Sequence, residues 1–478
     1  VSDRPVILWF RRDLRLGDNP ALAAAVETGR PVIAAYIHDP ALDGRTMGAA
    51  SAWWLDKSLR ALAADLAKRG AALVVRAADA EHEIIRLVEE TTATDLFLNR
   101  MFEPDAWTRD ARIAEALKAR GVQVHGHNAT RLAAPGAVRT QAGEPFKVFT
   151  PFNRALWDQA RPRPGRRAPD RIRGPQSPPA GINIDLLNLH PRRPDWSGGF
   201  NDWTPGEAGA LAALARFLDQ ALADYSGDRN RPDREGTSRL SPHLHFGEID
   251  PWRVATAARA AAGHGDVAHG QAEKLCAELA WREFSIQLLT AFPTLASENY
   301  KSGFDRMAWR DDPAGLEAWT RGLTGYPIVD AGMRQLWATG WMHNRVRMIV
   351  ASFLIKDLLI DWREGERWFW NCLVDADAAS NAQNWQWVAG SGTDASPFFR
   401  IFNPVSQGEK FDPKGDYVRR WVPELAALPA DWIHQPWKAR PMDLAAAGVE
   451  LGETYPAPIV DHALARNRAL DALKATRG

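Results

Sequence analysis

Apolar runs and helical periods alternate through the first 130 residues. Val6–Phe10, Val32–Ile37, Ala72–Val75, Asp95–Leu98 and Val122–His125 are short and mostly apolar, the pattern of strands buried on both faces. Between them, Pro20–Glu27, Ala50–Lys68, Ala80–Thr91 and Asp105–Ala119 repeat apolar residues with a helical period. This alternation predicts a doubly wound parallel sheet with helices on both faces, residues 1–130. Such sheets bind ligands beyond the carboxyl ends of their strands. The turn after the first strand, Arg11-Arg12-Asp13-Leu14-Arg15, lacks the glycines of a dinucleotide fingerprint.

The periodicity then lapses. Residues 161–205 hold nine prolines, with arginines and glycines among them, which predicts an interdomain connector over 131–206. From Glu207 to residue 478 the pattern is helical: Ala208–Leu222, Pro251–Ala261, Gln271–Leu289, Leu316–Gly322, Val329–Thr339, His343–Leu359 and Glu364–Leu373. The predicted fold class is therefore α/β plus all-α, with the helical domain last.

Composition narrows the function. The 59 basic residues equal the 59 acidic ones, which excludes a uniformly basic nucleic-acid coat and an acidic disordered chain but allows a local basic patch. Two cysteines, Cys276 and Cys372, exclude a disulfide scaffold and a four-thiolate zinc site, and fit a reducing cytosol. No apolar run reaches the roughly 18 residues of a membrane helix, and no signal peptide is visible, so a cytoplasmic protein is expected. Of the 21 tryptophans, fourteen lie from Trp252 onward. Indoles there form an aromatic core, stack on rings or pass electrons.

Five segments carry candidate chemistry. Gly236-Thr237-Ser238-Arg239-Leu240-Ser241-Pro242 combines hydroxyls, a guanidinium and a helix start, which suits an anion or a plain N-cap at Ser241. Glu278, Trp281 and Arg282 fall at i, i+3 and i+4, so one helix face presents an acid, an indole and a guanidinium. In Gly340–Met348, Trp341, Asn344, Arg345 and Met348 are expected on one side and Arg347 elsewhere. With a single His there, no metal site is expected. Asp375-Ala376-Asp377 through Asn381 and Asn384-Trp385-Gln386-Trp387 could hold a cation, hold a heterocycle edge, or pair with Arg347. Arg400-Ile401-Phe402-Asn403-Pro404 alone reads as a loop.

Together with W-F-R-R-D-L-R-L at 9–16, T-G-Y-P-I-V-D-A-G-M-R at 324–334 and D-W-R-E-G-E at 361–366, these segments resemble the photolyase/cryptochrome family. The resemblance spans nearly the whole chain in order, and points to bacterial photolyases of cyclobutane pyrimidine dimers. It implies a helical domain that binds FAD and light-driven electron transfer to a flipped-out dimer. Photolyases are among the enzymes known to extrude their target from the stack.

By the same resemblance, Tyr225, Thr237, Ser238, Arg239, Leu240 and Ser241 bind the cofactor with Arg347, Asp375 and Asp377, and Asn381 faces the flavin N5. Glu278, Trp281, Asn344, Met348 and Trp387 form the lesion pocket. Trp385, Trp362 and Trp309 form an electron-transfer chain. Arg345, Arg400 and Arg282 contact DNA. The family's (6-4)-photoproduct branch places histidines where this chain has Asn344 and Met348.

The stretch Glu103-Pro104-Asp105-Ala106-Trp107 and the region Leu295-Ala296-Ser297 depart from the folate-binding pattern. A second antenna is therefore expected to be methenyltetrahydrofolate held differently, a deazaflavin, or absent. The implied partner is UV-damaged DNA, with no membrane and no obligate protein partner. A monomer is expected, bacterial and associated with the nucleoid through DNA. Two other readings stay open: a cryptochrome-type blue-light receptor and a flavin-less DNA-binding relative.

Overall fold

The computed structural model describes residues 4–40, 45–192, 194–263, 269–394 and 399–476. Five strands, β1 (Val6–Phe10), β2 (Val32–His38), β3 (Leu73–Ala77), β4 (Asp95–Asn99) and β5 (Gln123–His127), form one parallel sheet ordered β3-β2-β1-β4-β5. The central β1 is wholly buried, as its unbroken V-I-L-W-F requires. Leu8 pairs with Ala34 on one side and Phe97 on the other. Helices α1 (Pro20–Glu27), α2 (Ala49–Ala67), α3 (Ala80–Thr91) and α4 (Pro104–Lys118) cross between strands. Asn19 starts α1: its side chain accepts the Leu22 N–H, and Pro20 follows at the first helical position.

Strand order reverses between β1 and β4, where an open ligand crevice is expected. Here that point is packed with polar side chains. Arg11 donates to Asp110 at 2.7 Å, and the Asn99 amide donates to Asp13 at 2.6 Å.

The segment expected as connector is not all irregular. Phe149–Gln159 forms α5, which packs on the long helix α10 (His269–Ala291). Short helices α6 (Glu207–Gln220), α7 (Tyr225–Asp228), α8 (Ser241–His245) and α9 (Pro251–Ala262) precede α10. After it come α11 (Pro313–Arg321), α12 (Pro327–Thr339), α13 (Asn344–Ser352), α14 (Trp362–Cys372), α15 (Ala378–Ala389) and α16 (Pro404–Phe411), then three more helices, α17 to α19, over 416–475. The single helix expected over His343–Leu359 is two pieces. It turns to π geometry at Phe353–Asp357, a turn that carries the buried charges Lys356 and Asp357.

The two units clasp each other. Buried Arg15 donates to the carbonyls of Gly247 (2.7 Å) and Ala129 (2.8 Å), and the Trp54 indole N–H donates to Glu248 at 3.0 Å. Gly247 is required at this seam. Its φ is +65°, and a Cβ would stand 2.0 Å from the Arg12 carbonyl oxygen.

Candidate active site

The helical unit encloses a cavity of about 480 Å³, within the usual range of small-molecule sites. Its walls come from α7, α8, α10, α13, α14, the 375–377 turn and α15. Asp375 pairs with Arg347 at 2.9 Å, and the Arg347 Nε also donates to the Met342 carbonyl at 2.8 Å. Ser238 and Ser241 add hydroxyls, while Leu279, Phe369, Leu373 and Trp385 supply apolar wall. Anion-binding hydroxyls, an acid–guanidinium clamp and flat apolar faces in one space fit an extended nucleotide cofactor carrying a planar ring.

Asp377 caps α15 by accepting the Ser380 N–H at 2.8 Å. Burial opposes its ionisation. Even so, His245 and the charges of Arg131 and Arg282 hold its carboxyl well below the usual carboxylate range. His245 Nδ1 stands 3.4 Å from Asp377 Oδ2. Asn381 donates its amide to the Glu366 carbonyl (3.0 Å) and to Glu366 Oε1 (2.7 Å). Glu366 is in turn held by Arg45 at 3.0 Å, and Arg45 lies over the Trp370 ring at 3.5 Å. With its N–H groups spent on Glu366, Asn381 has only its carbonyl oxygen left for a ligand.

Glu278, Trp281, Asn344, Met348 and Trp387 all line the same cavity, together with Tyr225. Several expectations are corrected. Helix α13 begins at Asn344, so Asn344, Arg347, Met348 and Ala351 share the cavity face at i, i+3, i+4 and i+7. Arg345 turns off that face to Asn230 (2.6 Å) and Phe411, and Arg347 turns onto it. Trp341 precedes the helix and packs against Trp203. Arg239, at φ +52°, places its guanidinium over both indoles, 4.5 Å from Trp203 and 4.9 Å from Trp341. Neither Arg239 nor Thr237 nor the buried Leu240 lines the cavity. Ser241 lies inside α8 and is no cap.

Arg282, expected on a DNA contact, lines the cavity and is also tied inward. Its guanidinium donates to the Thr130 (2.7 Å) and Leu244 (3.0 Å) carbonyls, and burial lowers its pKa to about 10. It works as a strut between the units. Glu103, in the stretch that departs from the folate-binding pattern, is likewise turned inward, to Arg12 (3.2 Å) and Arg131 (3.4 Å). Arg400 is exposed, beside Trp387 and Phe402.

The three chain tryptophans sit at graded depth. Trp385 is on the cavity wall. Trp362 is fully buried and donates to Asn299 at 2.9 Å. Trp309 is half-buried near Met307. Gly365 makes room for Trp385, since a Cβ there would meet Trp385 Cη2 at 2.1 Å and Leu354 Cδ2 at 2.6 Å. Gly365→Ala should cost about 1–3 kcal/mol by overpacking, read as a lower thermal midpoint with a shifted Trp385 environment. An unchanged midpoint would refute that packing.

Sequence reading missed Arg229, which holds Glu278 at 2.6 Å from the turn of α7. It also missed Glu366 and Phe149. Glu366 stands within the quoted D-W-R-E-G-E, and only its second Glu, fully buried, carries the role. Phe149 left one signal, an aromatic-rich V-F-T-P-F inside a polar segment.

A parallel-sheet unit clasped to a helical unit with one deep clamp-lined cavity defines a two-unit cofactor protein. The family description "DNA photolyase" matches residues 6–170, and "FAD binding domain of DNA photolyase" matches residues 275–475. The chain belongs to the DNA photolyase family. It is 51% identical to a deoxyribodipyrimidine photo-lyase of Agrobacterium fabrum over 100% of this chain and 99% of that one. It is 40% identical to cryptochrome-1 of Arabidopsis thaliana over 98% of this chain and 70% of that one. A crystal structure of a class III photolyase from Agrobacterium tumefaciens superposes with a TM-score of 0.96 at 50% identity, covering 100% of this chain and 98% of that one.

Proposed function

We propose that this chain is a deoxyribodipyrimidine photo-lyase that uses FAD to repair cyclobutane pyrimidine dimers in UV-damaged DNA. One observation carries the reading. The cofactor clamp (Arg347, Asp375, Asn381) and the lesion set (Glu278, Trp281, Asn344, Met348, Trp387) line a single cavity. Bound FAD, reduced and excited by blue light, supplies the electron that splits the dimer. The residues do the rest. Asp375 and Arg347 fix the cofactor, Asn381 offers its carbonyl oxygen to the flavin edge, and the two indoles stack the dimer and exclude water. Glu278 and Asn344 bond the dimer's polar edge, and Met348 fills the cleft. Exposed Arg400 and half-buried Arg345 meet backbone phosphates, positions a neutral chain can spare for DNA. Repair of a dimer-containing oligonucleotide under blue light but not in the dark tests this reading, and equal restoration in both overturns it.

A receptor reading is favoured by the cryptochrome-1 identity. Against it stands Asn381, where plant receptors of the family carry an acid. Among the described residues no helix is long and apolar enough to cross a membrane, and no cluster of metal-binding side chains forms. A monomer on DNA and a nucleoid location complete the proposal.

Electron supply gives a separate prediction. Trp309→Phe should slow light-driven reduction of oxidised flavin by about 100-fold, because an outer hop to a half-buried indole is lost, while chemically reduced protein still repairs. Photoreduction at the wild-type rate would remove Trp309 from the chain.

A further inference from the structure

The indole of Trp281 is held on one side before any ligand arrives. Phe149, at the start of α5, lies face to face with it, ring centroids 3.6 Å apart and planes 5° from parallel. Phe284 meets the same indole edge-on at 5.8 Å and 78°. Trp281 lines the cavity and Phe149 does not. The remaining indole surface is therefore what the cavity sees.

A full face-to-face sandwich is not the arrangement that ring quadrupoles favour. It persists here because Phe149 is anchored from several directions. Phe149 also meets Phe284 edge-on at 5.9 Å, Phe152 is buried and packs on Phe284 at 5.3 Å, and Gln287 donates to the Phe146 carbonyl at 3.2 Å. The segment expected as mere connector thus backs one wall of the cavity.

We infer that Phe149 is a positioning residue for lesion recognition: it covers one face of Trp281 and pre-orients the other for the pyrimidine dimer. The inference rests on the photolyase reading above. A side chain already fixed loses less rotamer freedom on binding, so the gain falls on the ligand that stacks on Trp281, the dimer, and not on ordinary duplex DNA.

The test measures affinity in the dark, with the FAD-loaded protein, for matched oligonucleotides with and without one thymine dimer. Phe149→Ala should weaken dimer binding about five-fold and leave undamaged binding unchanged. Phe149→Tyr, which keeps the ring, should restore discrimination. Phe149→Leu keeps apolar bulk without a ring, so it should retain the thermal midpoint and show the same loss. In a Trp281→Ala background, Phe149→Ala should add no further loss. Wild-type discrimination in Phe149→Leu, or an equal loss when Trp281 is already gone, overturns the role assigned to Phe149. Wild-type protein that binds both oligonucleotides alike overturns the photolyase reading instead.

Discussion

Asp375→Ala should purify with little flavin, its cofactor affinity lowered by about 100-fold, or roughly 2.7 kcal/mol. The Asp375 side chain is 5% exposed, and among the described residues its only charged partner is the Arg347 Nη2 at 2.9 Å. Among the described residues Arg347 has one other anchor, the Met342 carbonyl, so without Asp375 its guanidinium stays aligned but uncompensated at the cavity wall. Removing one member of a buried pair costs more than the pair contributes, because the survivor keeps its desolvation penalty. The loss is smaller than for a fully buried pair because the Arg347 side chain is 22% exposed and partly solvated. Asp375→Asn, which still accepts a hydrogen bond, should retain more flavin than Asp375→Ala. The visible-to-ultraviolet absorbance ratio of the purified proteins reads both. Full yellow colour in Asp375→Ala would remove this clamp from the cofactor site.

The strands were readable because burial on both faces leaves no polar position to confuse the pattern, as V-I-L-W-F in β1 shows. Helix α15 was not read as a helix, and the reason is functional. Asn381 faces the cavity, while Gln386 donates to the carbonyls of Leu295 and Glu298, so polar residues occupy inward positions and break the apolar period. In α13 the residue types were legible but the face was not. One error in where the helix starts, Trp341 against Asn344, exchanges the roles of Arg345 and Arg347. Arg282 was placed on the correct face with Glu278 and Trp281, yet its partners are the carbonyls of Thr130 and Leu244, remote in sequence. Phe149 and Arg229 have the same origin. Each acts through a contact more than 40 residues away along the chain, which no local spacing encodes.

Lesion choice should be one-sided. Opening a (6-4) photoproduct requires a proton donor over the lesion, and loss of a positioned general acid costs about 10²–10⁴-fold. Asn344 and Met348 offer no such proton near neutral pH. The neighbouring His343 does not replace them. It is 2% exposed, spends Nδ1 accepting the Arg345 N–H, and has its pKa lowered to about 3 by burial and by Arg345 and Arg347. At pH 7 it is neutral, and it does not line the cavity. His245 lines the cavity, but burial lowers its pKa too, and it faces Asp377 and the interdomain arginines. Glu278, fixed by Arg229 at 2.6 Å and Lys274 at 3.5 Å, can bond a dimer whose ring bonds break by electron transfer alone. Illuminated with each lesion separately, the enzyme should restore the cyclobutane dimer at least about 100-fold faster than the (6-4) product. Comparable rates would overturn the assignment. Glu278→Ala should keep its flavin and lose about 10-fold in dimer repair, the effect of one charge-assisted hydrogen bond, because Arg229 is then left facing the lesion without its acid. Unchanged repair in that variant would mean that Glu278 serves only to hold Arg229.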